Sequence, residues 1–386
     1  MDLKLLIFNW RDIKNPQAGG AEVYTHEIMH RLAQKGAEIT LFTSEYPGCK
    51  NIEEIDGITI IRKGKLPTTY YYARKYYKKH LKGKYDLIID EINVIPWFTP
   101  LYAKEPIVGL VHEIGTWALP HHKEVNPIIR KTLPPLTPLL FKPYRKTPII
   151  TVSQSTKQDL QKLSIPPENI HIVPNAVDHN IYKPPPQKTT EDPIILYLGR
   201  ITWYKNIHHI LHALKYVKKH IPNIHLIIAG KPEKTYTKHL HKITKKLNLT
   251  KNVTYKYNVS LKEKIELLQK ATLLTIPSSR EGFGIVVLEA NACATPVIGY
   301  DVPGLRDSIR HMETGILVPY GNIKAMAKAM IMLTEDQELW RRLAENALNW
   351  ARQFSWDKSV EKFERVLLKL YMENSLLKCM NRSAIT

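Results

Sequence analysis

Three cysteines, Cys49, Cys293 and Cys379, are all that the 386 residues contain, and they lie far apart. No pair has the spacing of a zinc ligand set and three scattered thiols make no disulfide framework, a usage that fits a reducing compartment. Long apolar runs are missing too. None approaches the roughly 20 residues needed to cross a bilayer. Leu3–Phe8 is too short for a signal-peptide core and reads as a first strand. The expectation is a cytoplasmic chain. Asp-x-Asp occurs nowhere, so no metal and no other cofactor is expected. There is no internal repeat of solenoid period. Acids fall short of bases, 36 against 56. The resulting net charge of +20 implies an anionic partner: nucleic acid, anionic lipid or a phosphorylated ligand.

What is present is globular, with 44% apolar and 24% charged residues, and long enough for two cores. Short apolar runs alternate with amphipathic helical stretches, the pattern of parallel sheets covered by helices on both faces. Strands are expected at Leu3–Phe8, Ile39–Thr43, Thr59–Ile61, Leu87–Ile89, Ile107–Val111 and Ile149–Val152. A second series comprises Ile194–Leu198, Leu226–Ala229, Val253–Tyr255, Leu273–Ile276 and Pro296–Ile298. Between the series, residues 183–192 read KPPPQKTTED, polar and proline-rich, as an interdomain linker would. Domains are therefore expected at 1–182 and 193–353, each a doubly wound α/β unit binding ligands at the carboxyl ends of its strands.

The most informative stretch is Ser278-Ser-Arg-Glu-Gly-Phe-Gly-Ile-Val-Val-Leu-Glu289. The preceding strand ends at Pro277 and a helix is expected from about Ile285. Glu281 then sits in a strand-to-helix loop and Glu289 about a turn into the helix. Gly282 and Gly284 allow close backbone approach to a ligand, and a helix N-terminus offers amides to a phosphate. Amide donors with two hydroxyl-binding carboxylates suit a nucleotide-sugar; the same two acids also suit a solvated surface loop. Gly19-Gly20 opens a helix expected from Val23 to about Gln34, closed by Lys35-Gly36. A glycine pair there can face a phosphate or simply mark a turn. Gly199-Arg200 closes a strand and Lys205 comes soon after; a guanidinium fork and a compact ammonium could hold a diphosphate, or could be ordinary surface charge. His112 stands just past a strand end, where it could be catalytic or structural.

Together these residues resemble the retaining nucleotide-sugar glycosyltransferases of family 4, which have the GT-B architecture: two Rossmann-like domains facing each other across a cleft. The resemblance covers nearly the whole chain. It includes Gly19-Gly20, His112, Ser153, Pro174-Asn-Ala-Val-Asp178, Gly199-Arg200 with Lys205, and Glu281-Gly-Phe-Gly through Glu289. It continues in Thr295-Pro-Val-Ile298, Thr314-Gly-Ile-Leu-Val-Pro319 and Phe354-Ser-Trp356, which would open a helix, 354–378, returning to the first domain. The resemblance implies roles. Arg200 and Lys205 bind the donor diphosphate, near Gly199. Glu289 binds the ribose. Glu281 holds sugar hydroxyls, with amides of Phe283, Gly284, Ile285 and Val286. Gly19 and Gly20 approach the diphosphate or acceptor, and His112 contacts the donor sugar. UDP- or GDP-sugars are the expected donors, and a glycan or lipid-linked molecule the acceptor. The chain departs from the family at Tyr257, Pro303 and Ala294, where glycine is common, at Asp307 in place of Glu, and at Glu113 in place of Asp. Tyr257 lies near where the base would sit.

Ile58–Tyr85 holds nine Lys/Arg and no acid. On a helix, Tyr70, Tyr71, Arg74, Lys75, Lys78 and Lys79 would form a basic, aromatic face suited to an anionic membrane surface. A second acid-free segment runs from Asn126 to Gln158. Peripheral membrane association is the expectation, against a bland reading of a solvated basic face with tyrosines packed inward. A nucleic-acid-binding protein is the rival from another class. It is disfavoured because zinc-ligand spacing, an RNP-like motif and a helix-turn-helix cue are all absent, and because charge alone leaves Glu281 and Glu289 unexplained. Two further rivals share the architecture: an epimerase or phosphorylase, and a non-catalytic relative that binds the donor without transferring it.

Overall fold

A computed structural model describes residues 2–186 and 192–383. The chain divides into two compact units. The first comprises Met1–Trp117, Leu133–Asn175 and Trp356–Thr386; the second comprises Ala118–Thr132 and Ala176–Ser355.

The first unit is built on eight strands: β1 (Lys4–Phe8), β2 (Glu38–Thr43), β3 (Ile52–Ile55), β4 (Ile58–Arg62), β5 (Leu87–Glu91), β6 (Ile107–Val111), β7 (Ile149–Thr151) and β8 (Ile170–Ile172). They lie in the order β3-β4-β2-β1-β5-β6-β7-β8. All pairs are parallel except β3 with β4. Leu5, Leu6, Ile7 and Phe8 are all fully buried, because a parallel sheet is covered on both faces and its central strands must be apolar throughout. The antiparallel edge was not among the expected strands. Its signal is Asp56-Gly57, two residues with positive φ (51° and 79°) that join β3 to β4 as a tight hairpin.

Helix Gly20–Gln34 begins three residues earlier than expected and stops at Lys35, with Gly36 at φ 97°. The tyrosine-rich segment is helical over Thr69–Tyr76 and continues as a π-helical turn, Tyr77–Leu81. Ala73, Tyr77 and Leu81 are buried with Phe8, Phe42 and Trp97. Tyr70 belongs to this inward side, correcting its assignment to an outer face: its ring lies 4.4 Å from Trp97 and its hydroxyl donates to Ile95 O at 3.0 Å. Burying a large ring is worth about 1.5–3 kcal/mol, more than an exposed aromatic gains in water. Tyr71, Arg74, Lys75, Lys78 and Lys79 remain exposed.

The last helix, Trp356–Ser383, packs on helix Gly20–Gln34 within the first unit. Trp356, Val360, Phe363 and Leu367 form its buried stripe at helical spacing.

The second unit has six strands: β9 (Ile194–Leu198), β10 (His225–Gly230), β11 (Val253–Tyr257), β12 (Leu273–Ile276), β13 (Val297–Tyr300) and β14 (Gly315–Val318), ordered β11-β10-β9-β12-β13-β14. Every pair is parallel. The units part at Asn175/Ala176 rather than in the proline-rich stretch. The reason is local bonding: Val177 N–H donates to Phe354 O at 3.5 Å, and Tyr182 is buried in the second unit. Of the expected linker, residues 187–191 lie outside the described residues. Among the described residues, no helix is long and apolar enough to cross a membrane.

At the end of β4, Arg62 is fully buried and forks onto Asp12 at 2.7 and 2.9 Å. It also reaches Glu53 Oε1 at 2.5 Å and Lys50 O at 2.9 Å. Removing one partner of such a cluster strands the others as buried charges. Arg62→Ala is expected to destabilise the protein by about 3–5 kcal/mol in denaturant unfolding. A change below about 1 kcal/mol contradicts a structural role for the cluster.

Candidate active site

In the second unit the expected site residues come together at the carboxyl ends of β9 and β12, which are neighbours in the sheet. β9 runs straight into Gly199, whose N–H donates to Ala229 O at 3.1 Å. A Cβ on Gly230 would lie 1.9 Å from Gly199 O, so two backbones touch here and only glycine fits. Tyr197, fully buried, donates its hydroxyl to Arg200 O at 2.7 Å and fixes the next turn. Arg200 Nη2 donates to the Tyr204 hydroxyl at 2.8 Å. After a short 3-10 turn (Trp203–Lys205) the chain reaches Asn206 in the left-handed conformation.

The loop leaving β12 runs beside this one. Ser279 N–H donates to Tyr204 O at 3.2 Å and Asn206 Nδ2 donates to Pro277 O at 3.2 Å. The two loops are thereby tied, and Lys205 Nζ forms an ion pair with Glu281 Oε1. Both side chains are nearly buried, at 14% and 15% exposure. Burial alone lowers the Lys205 pKa; the Glu281 charge and hydrogen bond, with Tyr204, overcome that and raise it above its ordinary value. Lys205 is thus a fixed cation.

Gly284, at φ 85°, begins helix Ile285–Ala292 without a side-chain cap, so no side chain of its own occupies the helix start. Phe283 is buried, its ring at 5.6 Å from Phe354. Phe283 thus anchors the loop, while Ile285 and Val286 open the helix. Glu289 is buried one turn on; its Oε1 accepts from Lys264 Nζ at 2.6 Å. Its Oε2 is buried without a hydrogen bond among the described residues. Burial first, then the Glu289 charge, raise the pKa of the neighbouring Tyr182 hydroxyl and keep it protonated. The segment 118–132 adds to this unit: His122 stacks on Tyr204 at 4.2 Å and hydrogen-bonds Glu124 at 2.8 Å. Burial works to raise the Glu124 pKa, but the His122 hydrogen bond and, more weakly, the Arg200 charge bring it below its ordinary value.

The first unit holds the remaining residues. His112, at the end of β6, is 9% exposed. Its Nε2 lies 3.3 Å from Glu91 Oε1, and its carbonyl accepts from Thr156 Oγ1 at 3.1 Å. Ser153 is structural: its hydroxyl caps helix Gln154–Lys162 by accepting from Thr156 N–H at 3.1 Å. Gly19 N–H already donates to Glu22 Oε2 at 2.7 Å, so that amide is engaged within the helix start rather than offered to a phosphate. Gly20 is the first helical residue. Tyr257 is half-exposed at the end of β11, its hydroxyl 2.8 Å from His241 Nε2.

Lys264, Tyr182, Tyr204 and Tyr197 escaped the sequence reading, since a lone Lys or Tyr carries no spacing signal. Gly304 also escaped it, although Pro303-Gly304 is a turn pair. Gly304 has φ 83°, and a Cβ there would stand 2.0 Å from Glu281 O. Pro303 O accepts from Glu281 N–H at 3.2 Å. Gly304 thus lets the loop of Glu281 fold down. Gly304→Ala is expected to cost at least about 1–2 kcal/mol in thermal stability from the left-handed backbone alone. Unchanged stability would show that the close approach does not set the loop.

Among the described residues no group of three or more His, Cys, Asp or Glu is arranged to hold a metal ion.

Comparison with known proteins agrees with this geometry. Residues 18–181 match the family described as Glycosyltransferase Family 4, and residues 178–350 match Glycosyl transferases group 1. A D-inositol 3-phosphate glycosyltransferase of Streptomyces bingchenggensis is 26% identical over 380 residues, covering 89% of this chain and 83% of the relative. Sucrose-phosphate synthase from Thermosynechococcus elongatus superposes with a TM-score of 0.83 at 20% identity, over 96% of this chain and 100% of that one. HepE from Anabaena, in complex with UDP and glucose, does so with 0.77 at 19% identity, over 95% and 100%. With both halves matched in turn and the GT-B fold shared throughout, the chain belongs to the family 4 type of glycosyltransferases.

Proposed function

We propose that this glycosyltransferase moves a hexose-type sugar from a UDP- or GDP-sugar to a glycan or lipid-linked acceptor, with retention of anomeric configuration. The observation that carries the reading is the Lys205–Glu281 pair beside Arg200, set before an uncapped helix start. A UDP-glucose complex of HepE, a structural neighbour, supports a uridine donor. Retention is the family's general habit.

In this reading Lys205 and Arg200 take the donor diphosphate. Glycosyl transfer develops negative charge on the departing diphosphate and positive charge on the sugar. Cations already fixed in a dry site bind the leaving group more tightly in the transition state than in the ground state, which lowers the barrier. Glu281 exchanges part of its contact with Lys205 for hydroxyls of the sugar. Glu289, held at Oε1 by Lys264 and without a hydrogen bond at Oε2, accepts from the ribose hydroxyls. His112 is proposed to contact the sugar. The two cations serve the charge that a divalent metal serves elsewhere, so the reaction is proposed to need none.

The acceptor proposal rests on surface chemistry. In the first unit Leu136 and Leu139 are exposed close in sequence to Lys142, Arg145 and Lys146. Tyr71 is 65% exposed, with Lys75 Nζ 5.9 Å from its ring centre. Exposed apolar and basic side chains of this kind favour an anionic lipid surface, at about 1 kcal/mol per Lys or Arg.

Incubation with a panel of UDP-, GDP-, ADP- and TDP-sugars should release one nucleoside diphosphate slowly, and equally fast with EDTA present. Arg200→Ala, Lys205→Ala and Glu281→Ala, folded, should each lose about 100-fold in rate, roughly 3 kcal/mol of barrier. Wild-type rates in all three would overturn the site assignment, and NMR of the product with inverted configuration would overturn retention. Sedimentation with anionic liposomes at low salt, lost at high salt, is the outcome expected for the membrane surface; a protein left in the supernatant at low salt contradicts it.

A further inference from the structure

β5 ends in two adjacent acids, Asp90 and Glu91, and both are completely buried. Successive strand residues point to opposite faces of the sheet, and the two acids meet different fates. Asp90 is fully used as a brace. It accepts from the Thr99 hydroxyl at 2.7 Å, Tyr144 OH at 2.5 Å, Thr99 N–H at 3.2 Å and Trp97 N–H at 3.3 Å. Glu91 receives far less. Thr25 donates to its Oε2 at 2.7 Å, and its Oε1 has no hydrogen bond of good geometry among the described residues. A carboxyl group buried with one good donor is costly to keep. What faces Oε1 is His112 Nε2, at 3.3 Å.

The approach is set by the sheet. Glu91 pairs in register with Leu110 on β6, and His112 stands two residues further on. The ring is held edge-on by Tyr24, at 5.1 Å and 84°, and Tyr24 is itself anchored by donating to Val173 O at 3.0 Å. His112 Nε2 is buried and makes no well-aligned hydrogen bond among the described residues. The charged and titratable groups around the pair are Glu22 and Tyr24 on helix Gly20–Gln34, and Glu22 is occupied by Gly19 N–H. Burial raises the Glu91 pKa; His112 and Thr25 pull it back down.

We propose that Glu91 is a positioning residue for His112: its Oε1 takes the Nε2–H, fixing the tautomer that leaves a lone pair on Nδ1. A neutral imidazole donates at one nitrogen and accepts at the other, so the partner of the first decides the role of the second. An Nδ1 lone pair accepts from a sugar hydroxyl. The inference rests on the reading in which His112 contacts the transferred sugar, and adds which group aims it. Thr25 then serves to hold the second carboxylate oxygen still.

Nitrogen-15 NMR of histidine-labelled full-length protein, with the His112 signals assigned by a His112→Asn variant, tests this without any sugar. Wild type is expected to carry the proton on Nε2 of His112. Glu91→Gln, whose carboxamide can donate as well as accept, should show a mixture of tautomers. In the transfer assay it should lose at least about 10-fold in kcat, with the donor KM changed less than about 2-fold. Thr25→Val, which keeps the carboxylate, should retain the wild-type tautomer. A wild-type Nδ1-protonated ring overturns the proposal, even where Glu91→Gln fails to fold. So do unchanged tautomer and kcat in a folded Glu91→Gln. A wild type that transfers from no donor would instead overturn the functional reading, and the tautomer would still decide the role of Glu91.

Discussion

Parallel strand pairing is the constraint on which the rest depends. When every strand of a sheet runs the same way, all the loops leaving the carboxyl ends emerge along one edge. In the second unit β9 and β12 lie side by side, although β10, β11 and their helices separate them in sequence. The loops beyond their carboxyl ends are therefore neighbours, and two hydrogen bonds onto backbone carbonyls tie them. That is how Lys205 and Glu281 come to share a nearly buried ion pair. Such a pair does little for stability, since desolvating two charges costs about what their attraction returns. It is good preparation for binding a charged ligand, because the groups are already dry and aimed.

The same constraint acts in the first unit with different chemistry. There β5 and β6 are neighbours, and a buried acid and a histidine gather at their ends rather than a cation pair. Asp90 and Glu91 divide the labour by alternation alone. One turns to the 97–99 segment and Tyr144 and stabilises structure; the other turns to Thr25 and His112. The helix that starts at Gly20 supplies Glu22, Tyr24 and Thr25 to this arrangement. The glycine pair thus acts through the helix it opens, with the Gly19 amide held by Glu22.

Much of this was legible in the sequence. The eleven expected strands all appear, since continuous short apolar runs have no other home in an α/β chain. β3, β8 and β14 were missed because short edge strands carry little apolar signal, though Asp56-Gly57 announced the hairpin. The domain boundary was misread because a proline-rich stretch looks like a linker wherever it lies, while the binding of 176–182 to the second unit depends on Phe354, far away in sequence. Tyr70 was misplaced for a similar reason: interleaved Tyr and Lys fix a helix but not which side meets Trp97. Lys205, Glu281 and Glu289 stood out by spacing. Their partners Lys264, Tyr204 and Gly304 did not, because each acts through a contact that only the folded sheet creates.

The proposed chemistry turns on Lys205 binding the diphosphate of a nucleotide-sugar donor. Calorimetric titration of wild type and Lys205→Ala with UDP, GDP and the matching nucleosides tests it most directly. One diphosphate is predicted to bind wild type and to bind the variant at least about 10-fold more weakly, a loss of about 1.4 kcal/mol, while the nucleoside binds both alike. Equal diphosphate binding by both proteins, or none by wild type, would contradict that role for Lys205.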